Sequence, residues 1–372
     1  MDIATATLAN GLHYASVRLP GFRTACIGAY VRVGSRYEPV ELAGVSHFFE
    51  HMAFKGTAQR DAYRIAHDAE RAGAYMNAFT AKDHTGYYLH LPGEHAAVAV
   101  ELIADVLRRS TFPPDELERE RHVVLQEMME AGDDAEGIAV DEMDKVAFPR
   151  HSLGQPILGS RSVVRTIRRR DFTTFLRRHY SAPNIVLVGV GAVDHITFGK
   201  LAQRYFGDLP SAKRTPTAPA AYRGGFRHRR LDFGQSWIAL GWPTPGRGAG
   251  DDPIYELLAE LLGGGTASPL FQTLREKNGL AYAANATLEE FDDCGILQIT
   301  AGVAPRHVGR ALSLIGEVLA APIDADNLER ARSQVRAQHL SRLERPQSLA
   351  ETVALALLTH GEIGGLASRL AR

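Results

Sequence analysis

His47 and His51 flank Glu50 in the stretch Val45-Ser46-His47-Phe48-Phe49-Glu50-His51-Met52-Ala53-Phe54-Lys55-Gly56-Thr57. On a helix, residues four apart project from one face, so both imidazoles can reach a single metal ion. Glu50 sits beside that face and is the natural group to handle a proton there. Phe48, Phe49, Met52 and Phe54 would bury the other sides, and a dry wall strengthens the electrostatics of such a site. A hydrolytic zinc takes three protein ligands and keeps one position for water. The candidate third ligand lies in Glu118-Arg119-Glu120-Arg121-His122-Val123-Val124-Leu125-Gln126-Glu127. This stretch reads as a helix, and Glu120 and Glu127 are two turns apart on one face of it.

The elements that must position these groups can be read from the pattern. Asn10-Gly11 marks a hairpin between two short strands. Ala25 to Val33 is a β-rich, apolar run, and Gly34-Ser35-Arg36-Tyr37-Glu38-Pro39 breaks the chain before the histidine helix. The pattern predicts helices over 45–55 and 60–72, closed by Gly56 and Gly73. A strand over 74–80 and an antiparallel neighbour over 84–91 follow. Further helices are predicted over 95–109, 115–131, 135–148, 171–180 and 195–206, with an apolar strand over 185–193. Residues 208–226 hold Pro210, Pro216 and Pro219 among small polar residues and read as a linker. The expected division is therefore a first domain over 1–207 and a second over 227–372.

The second half repeats the first in the order strand, helix, glycine-rich turn, helix, strand, strand, helix. Gly56-Thr57 corresponds to Gly265-Thr266, and Ala74-Tyr75-Met76-Asn77-Ala78 to Ala281-Tyr282-Ala283-Ala284-Asn285-Ala286 with a one-residue slip. At the same spacing the two histidines fall on Glu256 and Glu260, so the second half keeps the fold and lacks the ligands.

The bulk properties narrow the function classes. The chain has 372 residues, 45% hydrophobic and 23% charged, with a formal net charge of −1. That is an ordinary globular composition with room for about two domains. It gives no electrostatic case for a nucleic-acid partner or an anionic membrane. Arg168-Arg169-Arg170 and Arg227-His228-Arg229-Arg230 are short runs that suit a solvated face. Cys26 and Cys294 sit in apolar surroundings and imply neither a disulfide framework nor a cysteine metal site. Met1 to Pro20 has the pattern of neither a secretory signal nor a membrane span. A cytoplasmic protein is the expectation.

Taken together, these residues resemble the M16 family of metallopeptidases, the inverzincins that include mitochondrial processing peptidase and insulin-degrading enzyme. His-x-x-Glu-His, the flanking Phe54-Lys55-Gly56-Thr57 and the distal Glu-Arg…Val-Val-x-x-Glu frame carry the resemblance, which covers nearly the whole chain. It implies an α+β fold of the LuxS/MPP-like metallohydrolase type, in a short two-domain bacterial form. Each domain would be a mainly antiparallel sheet flanked by helices, with the helices on one face. It implies one Zn2+ per chain on His47, His51 and Glu127, with Glu120 supporting from behind and Glu50 as the catalytic base.

The stretch Leu262 to Tyr282 is similar to the family's glycine-rich segment followed by an Arg…Tyr pair, which places Arg275 and Tyr282 in contact with substrate. Pro269 departs from the family pattern there. The Lys-Ser/Thr of a phosphate-binding loop is absent after these glycines. The activity implied is that of a zinc endopeptidase acting on peptides or small unfolded polypeptides in an enclosed chamber, with peptide processing as a role the resemblance implies. The substrate would add a strand along Asn77, Ala78 and Phe79. The family works as homodimers or with a second M16-like subunit. A peptide-binding or partner-stabilising subunit is the alternative, and a zinc hydrolase of unrelated fold is disfavoured by the internal repeat. Family members usually continue past Arg369-Leu370-Ala371-Arg372, so by the resemblance the family's terminal helix is missing or unrecorded here, with a naturally short chain and a truncated one both open.

Overall fold

Gly11, at φ +90°, turns the chain between β1 (Asp2–Thr7) and β2 (His13–Arg18), which pair antiparallel as the Asn-Gly signal requires. The protein is described here from a computed structural model that covers residues 1–212, 218–247, 249 and 252–363. Residues 213–217 of the expected linker, and Arg369–Arg372, lie outside the described residues.

The first sheet has six strands in the order β1-β2-β6-β3-β5-β4, with β3 Thr24–Val31, β4 Tyr75–Thr80, β5 Thr85–Pro92 and β6 Ile185–Gly191. Every pairing is antiparallel except β2 with β6. The helices of this part are α1 Val45–Ala53, α2 Ala62–Arg71, α3 Ala96–Arg109, α4 Pro114–Glu130, α5 Ala135–Ala147, α6 Arg161–Val164, α7 Arg169–His179 and α8 His195–Phe206. Helices α3 and α8 lie on the sheet, and α1 packs beside β4. Behind α1, Phe49 meets Tyr87, Phe112, Phe172 and Tyr180 with ring centroids 5.3–6.4 Å apart. Phe48, Phe49 and Met52 are fully buried, which fixes which face of α1 carries the histidines.

The second sheet runs β7-β9-β8, with β7 Ser236–Thr244, β8 Ala281–Glu290 and β9 Gly295–Val303. Its helices are α9 Asp252–Gly263, α10 Pro269–Phe271 leading into a π-helical turn Gln272–Lys277, α11 Val308–Ala320 and α12 Ala325–Glu344. The order β7-β9-β8 repeats β3-β5-β4, and α9 follows β7 as α1 follows β3. The one-residue slip in the sequence repeat has a structural cause. The β8–β9 register shifts between Ala281 and Ala283, so Tyr282 is the extra residue of a bulge.

Two compact units emerge, and their limits differ from the expected division. One comprises residues 1–126, 156–217 and 342–372; the other comprises 127–155 and 218–341. Helix α4 runs unbroken through the division at 126–127, so Glu127 rides on the same rod as Glu120. Residues 135–155 pack with the second sheet, where Ala147, Phe148 and Leu153 join Phe291, Cys294 and Ile296.

The last helix, α13 Pro346–His360, was expected with the second domain but lies on the first sheet. Its Leu349, Val353 and Leu357 meet Cys26, Tyr30, Val186, Val188 and Val190. That sheet is therefore covered on both faces, not one. The unbroken apolar run of β6, buried at every residue, is the strand pattern that two covered faces demand. No helix of the described residues is long and apolar enough to cross a membrane.

Candidate metal centre

The start of α1 is fixed by a buried carboxylate. Glu38 accepts from the backbone N–H of Gly44 at 2.6 Å and of Ser46 at 2.7 Å, two donors that a helix N-terminus leaves without helical partners. Glu38 is 8% exposed; burial pushes its carboxyl up to about 7 against the lowering pull of those N–H groups. Gly44 stands at φ +98°, and a Cβ there would meet the Leu158 carbonyl at 2.6 Å. The preceding loop is tied to the β4–β5 turn by a buried Arg36–Asp83 pair at 3.3 Å. Past the end of α1, Thr57 donates to Asp105 of α3 at 2.9 Å, and Asp105 also accepts from Arg60 at 2.8 Å and Arg109 at 2.7 Å. Both ends of the histidine helix are thus held by carboxylates.

His47 and His51 present their rings on one face of α1, with centroids 4.8 Å apart. Burial, with the nearness of the His51 ring adding to it, lowers the His47 imidazole to about 4. His47 is therefore neutral at pH 7, the form that ligates metal. His51 Nδ1 lies 3.1 Å from Glu120 Oε2. A carboxylate accepts, so Nδ1 carries the proton and Nε2 is left with the lone pair for a metal. Lys55, one turn beyond His51, reaches the other Glu120 oxygen at 2.7 Å. The rotation of α4 is set by Arg121, which donates to the carbonyls of Val164 and, at 2.7 Å, Ile167. Its guanidinium lies over the Phe48 ring of α1, 5.4 Å from the centroid.

With α4 so held, Glu127 joins the histidines. Ligand atoms of His47, His51 and Glu127 all lie within 4.8 Å of one another, and no other such group forms among the described residues. Ligands at 2.0–2.1 Å in a tetrahedral site stand about 3.4 Å apart, so small side-chain movements close the set around one ion. Two imidazoles and a carboxylate are a hydrolytic zinc set that leaves a position open. Glu50 accepts a hydrogen bond from the Thr80 hydroxyl at 2.6 Å.

β4 ends the strand order of its sheet. Side chains alternate along it: Thr80 and Ala78 face α1, while Phe79, Asn77 and Tyr75 face the other way. Phe79 accordingly packs against Tyr30 and His84, at 6.5 and 5.5 Å between centroids. The Asn77 amide donates to the Tyr75 hydroxyl at 2.9 Å, and its oxygen accepts from Ala78 N at 2.8 Å.

In the second unit, Arg275 and Tyr282 are brought together. The Arg275 guanidinium stands 4.9 Å from the Phe271 ring centre and 5.1 Å from that of Tyr282, and it donates to the Tyr282 carbonyl at 3.1 Å. The bulge leaves Tyr282 72% exposed. Glu256 and Glu260, which replace the histidines, meet basic and amide groups of α12: His339 at 2.7 Å, Arg330 at 3.3 Å and Gln338 at 2.9 Å.

Sequence reasoning missed the roles of Thr80, Lys55, Glu38 and Arg121. Lys55 had a readable signal, being four residues beyond His51 on the same helical side. Thr80 had none, because its partner lies thirty residues away in the chain.

Residues 14–161 match the family model described as insulinase, peptidase family M16, and residues 166–335 match that of the M16 inactive domain. A Rickettsia bellii protein named an uncharacterized zinc protease is 35% identical over 334 residues, 88% of this chain and 81% of its own. A Mycobacterium bovis protein, also named an uncharacterized zinc protease, is 37% identical over 319 residues, 84% of this chain and 73% of its own. The crystal structure of a Helicobacter pylori protease has the same fold, with a TM-score of 0.90 at 23% identity over 100% of this chain and 92% of that one.

Proposed function

The chain belongs to peptidase family M16, and from that premise we propose that it is a zinc-dependent endopeptidase cleaving peptides or small unfolded polypeptides. The observation that carries this reading is the convergence of His47, His51 and Glu127, with Glu50 between the two histidines on the same helix. His47, His51 and Glu127 would hold one zinc per chain, which would supply Lewis-acid activation of water at neutral pH and of the scissile carbonyl. Glu50 takes the proton from the attacking water and returns it to the departing amine nitrogen. Glu120 keeps His51 in the tautomer and orientation that ligation needs.

The peptide lies extended along the outer side of β4 as an added strand. Ala78 serves it through its outward backbone groups, while Phe79, whose backbone pairs with Gly86 of β5 and whose side chain is committed to packing, holds the strand in place. Asn77 offers its amide once released from Tyr75. Arg275 gives donors to a substrate carbonyl, and the exposed Tyr282 hydroxyl steadies the developing oxyanion. This pair acts in cis or in an enclosed chamber shared with a second copy or an M16-like partner. Peptide processing in the cytoplasm is the role we assign, and cell fractionation tests the location.

The match of residues 166–335 to a domain called inactive favours a second reading, a subunit that binds peptides or stabilises a partner without cutting. One experiment separates the two. Zinc-loaded protein is given a library of unstructured fluorogenic peptides, with Glu50→Gln alongside. The peptidase reading expects cleavage that falls by about 10²–10⁴-fold in the variant. Peptide binding without any cleavage supports the second reading and overturns the first. Mixing Glu50→Gln chains with Arg275→Ala chains tests sharing: regained activity marks a site built from two copies, and none after proven exchange refutes it.

A further inference from the structure

We infer that Thr80 is the positioning residue for Glu50, clamping the base to the strand on which the substrate is laid. This rests on the peptidase reading above and names a part of its machinery. The Thr80 hydroxyl donates to Glu50 Oε2 at 2.6 Å, a short contact of the charge-assisted kind. Glu50 hangs from α1 on a side chain with three rotatable bonds, so α1 alone does not fix the plane of its carboxylate. Thr80 is stiff by comparison. Its β-branched side chain has a restricted χ1, and its backbone is the last pair of the β4–β5 ladder, opposite Thr85. Thr85 is in turn anchored, donating to the Val33 carbonyl at 2.6 Å. A rigid chain of contacts therefore runs from Val33, just past the end of β3, through β5 and β4 to one oxygen of the base.

The consequence is geometric. A peptide added along β4 takes its register from the backbone of that strand. Thr80 belongs to that strand and holds the base, so the scissile bond and the base share one reference frame. A base misplaced by an ångström loses much of its rate. Valine at this position keeps the shape and strand preference of threonine and removes the donor, and serine restores the donor without the methyl.

The test measures Thr80→Val, Thr80→Ala, Thr80→Ser and Glu50→Gln, singly and as the Glu50→Gln/Thr80→Val pair, on a fluorogenic peptide. Zinc affinity of each is measured by chelator competition and folding by circular dichroism. Expected are a fall in kcat of about 10- to 100-fold for Val and Ala, the range for one hydrogen bond to a charged group. KM should move by less than about threefold, serine should recover most of the rate, and zinc affinity should match the parent. The double variant should be no slower than Glu50→Gln alone, because the clamp has nothing left to hold.

Full rate in a folded Thr80→Val overturns the inference. So does an equal further loss in the Glu50→Gln background, a failure of serine to recover rate, or a loss of zinc that accounts for the fall. Failure of the peptidase reading looks different: the parent cleaves nothing, or Glu50→Gln cleaves at the parent rate.

Discussion

Replacing Glu120 tests how the two histidines proposed to hold zinc are positioned. Its carboxylate is 10% exposed and takes two partners, His51 Nδ1 at 3.1 Å and Lys55 at 2.7 Å. The bond to His51 is shielded and faces a charged acceptor, a class that contributes about 1.5–3 kcal/mol. The Lys55 side chain is 32% exposed, so solvent screening limits that pair to about 1 kcal/mol or less. Residues that orient a ligand from behind typically change metal affinity by about 10–100-fold, which is roughly 1.4–2.7 kcal/mol. The His51 contact alone accounts for that range.

Glu120→Ala should therefore weaken zinc binding by about 10–100-fold. Glu120→Gln retains an acceptor without the charge and should weaken it less. Lys55→Met should cost less than about fivefold. Competition with a chromophoric chelator at fixed pH measures all three. Zinc bound by Glu120→Ala as tightly as by the parent would refute the argument, as would a larger loss in Lys55→Met than in Glu120→Ala.

Three further outcomes follow from the same contacts. Glu127→Ala should purify with little or no zinc while keeping its fold, by metal analysis and circular dichroism; a full complement would place the third ligand elsewhere. Asp105 is fully buried; burial raises its carboxyl, but Arg109, Arg60 and Thr57 outweigh that and hold it below the usual carboxylate range. Asp105→Asn should cost about 3–5 kcal/mol, seen as an earlier thermal transition, and an unchanged melting curve would contradict it. Glu38, raised to about 7 by burial, binds its proton more tightly folded than unfolded. Its contribution to stability is thus largest below its unfolded pKa and is lost as pH rises through about 7. Glu38→Gln should flatten that part of the stability curve between about pH 4.5 and 7, and identical slopes in parent and variant would refute it.

The parts of the molecule that depend on local pattern were legible in the sequence. α1, the β4–β5 hairpin, α3 and α4 stand within a residue or two of the positions that periodicity and glycine punctuation give them. The His47/His51 face was legible because two helical residues four apart must share a side. What was hidden depends on distant partners. Nothing in Leu349, Val353 and Leu357 says that they cover the sheet of Cys26 and Val188 and not the nearer one, so the division of the chain could not be read. The bulge at Tyr282 left only a one-residue slip between repeats, whose meaning emerged with the β8–β9 register. Choosing Glu127 over Glu120 as ligand needed the family frame, since both share one face of α4. The structure gives each its own environment, Glu127 beside both histidines and Glu120 behind His51.

The most direct test is a zinc titration of metal-stripped protein with cleavage of an unstructured peptide followed in the same sample. Activity should be absent at the start, rise in step with bound metal and level off at one zinc per chain, while Glu50→Gln binds the same zinc without the activity. Cleavage that persists in stripped protein, or zinc that binds to the parent and to a His47→Ala/His51→Ala variant alike, would contradict this.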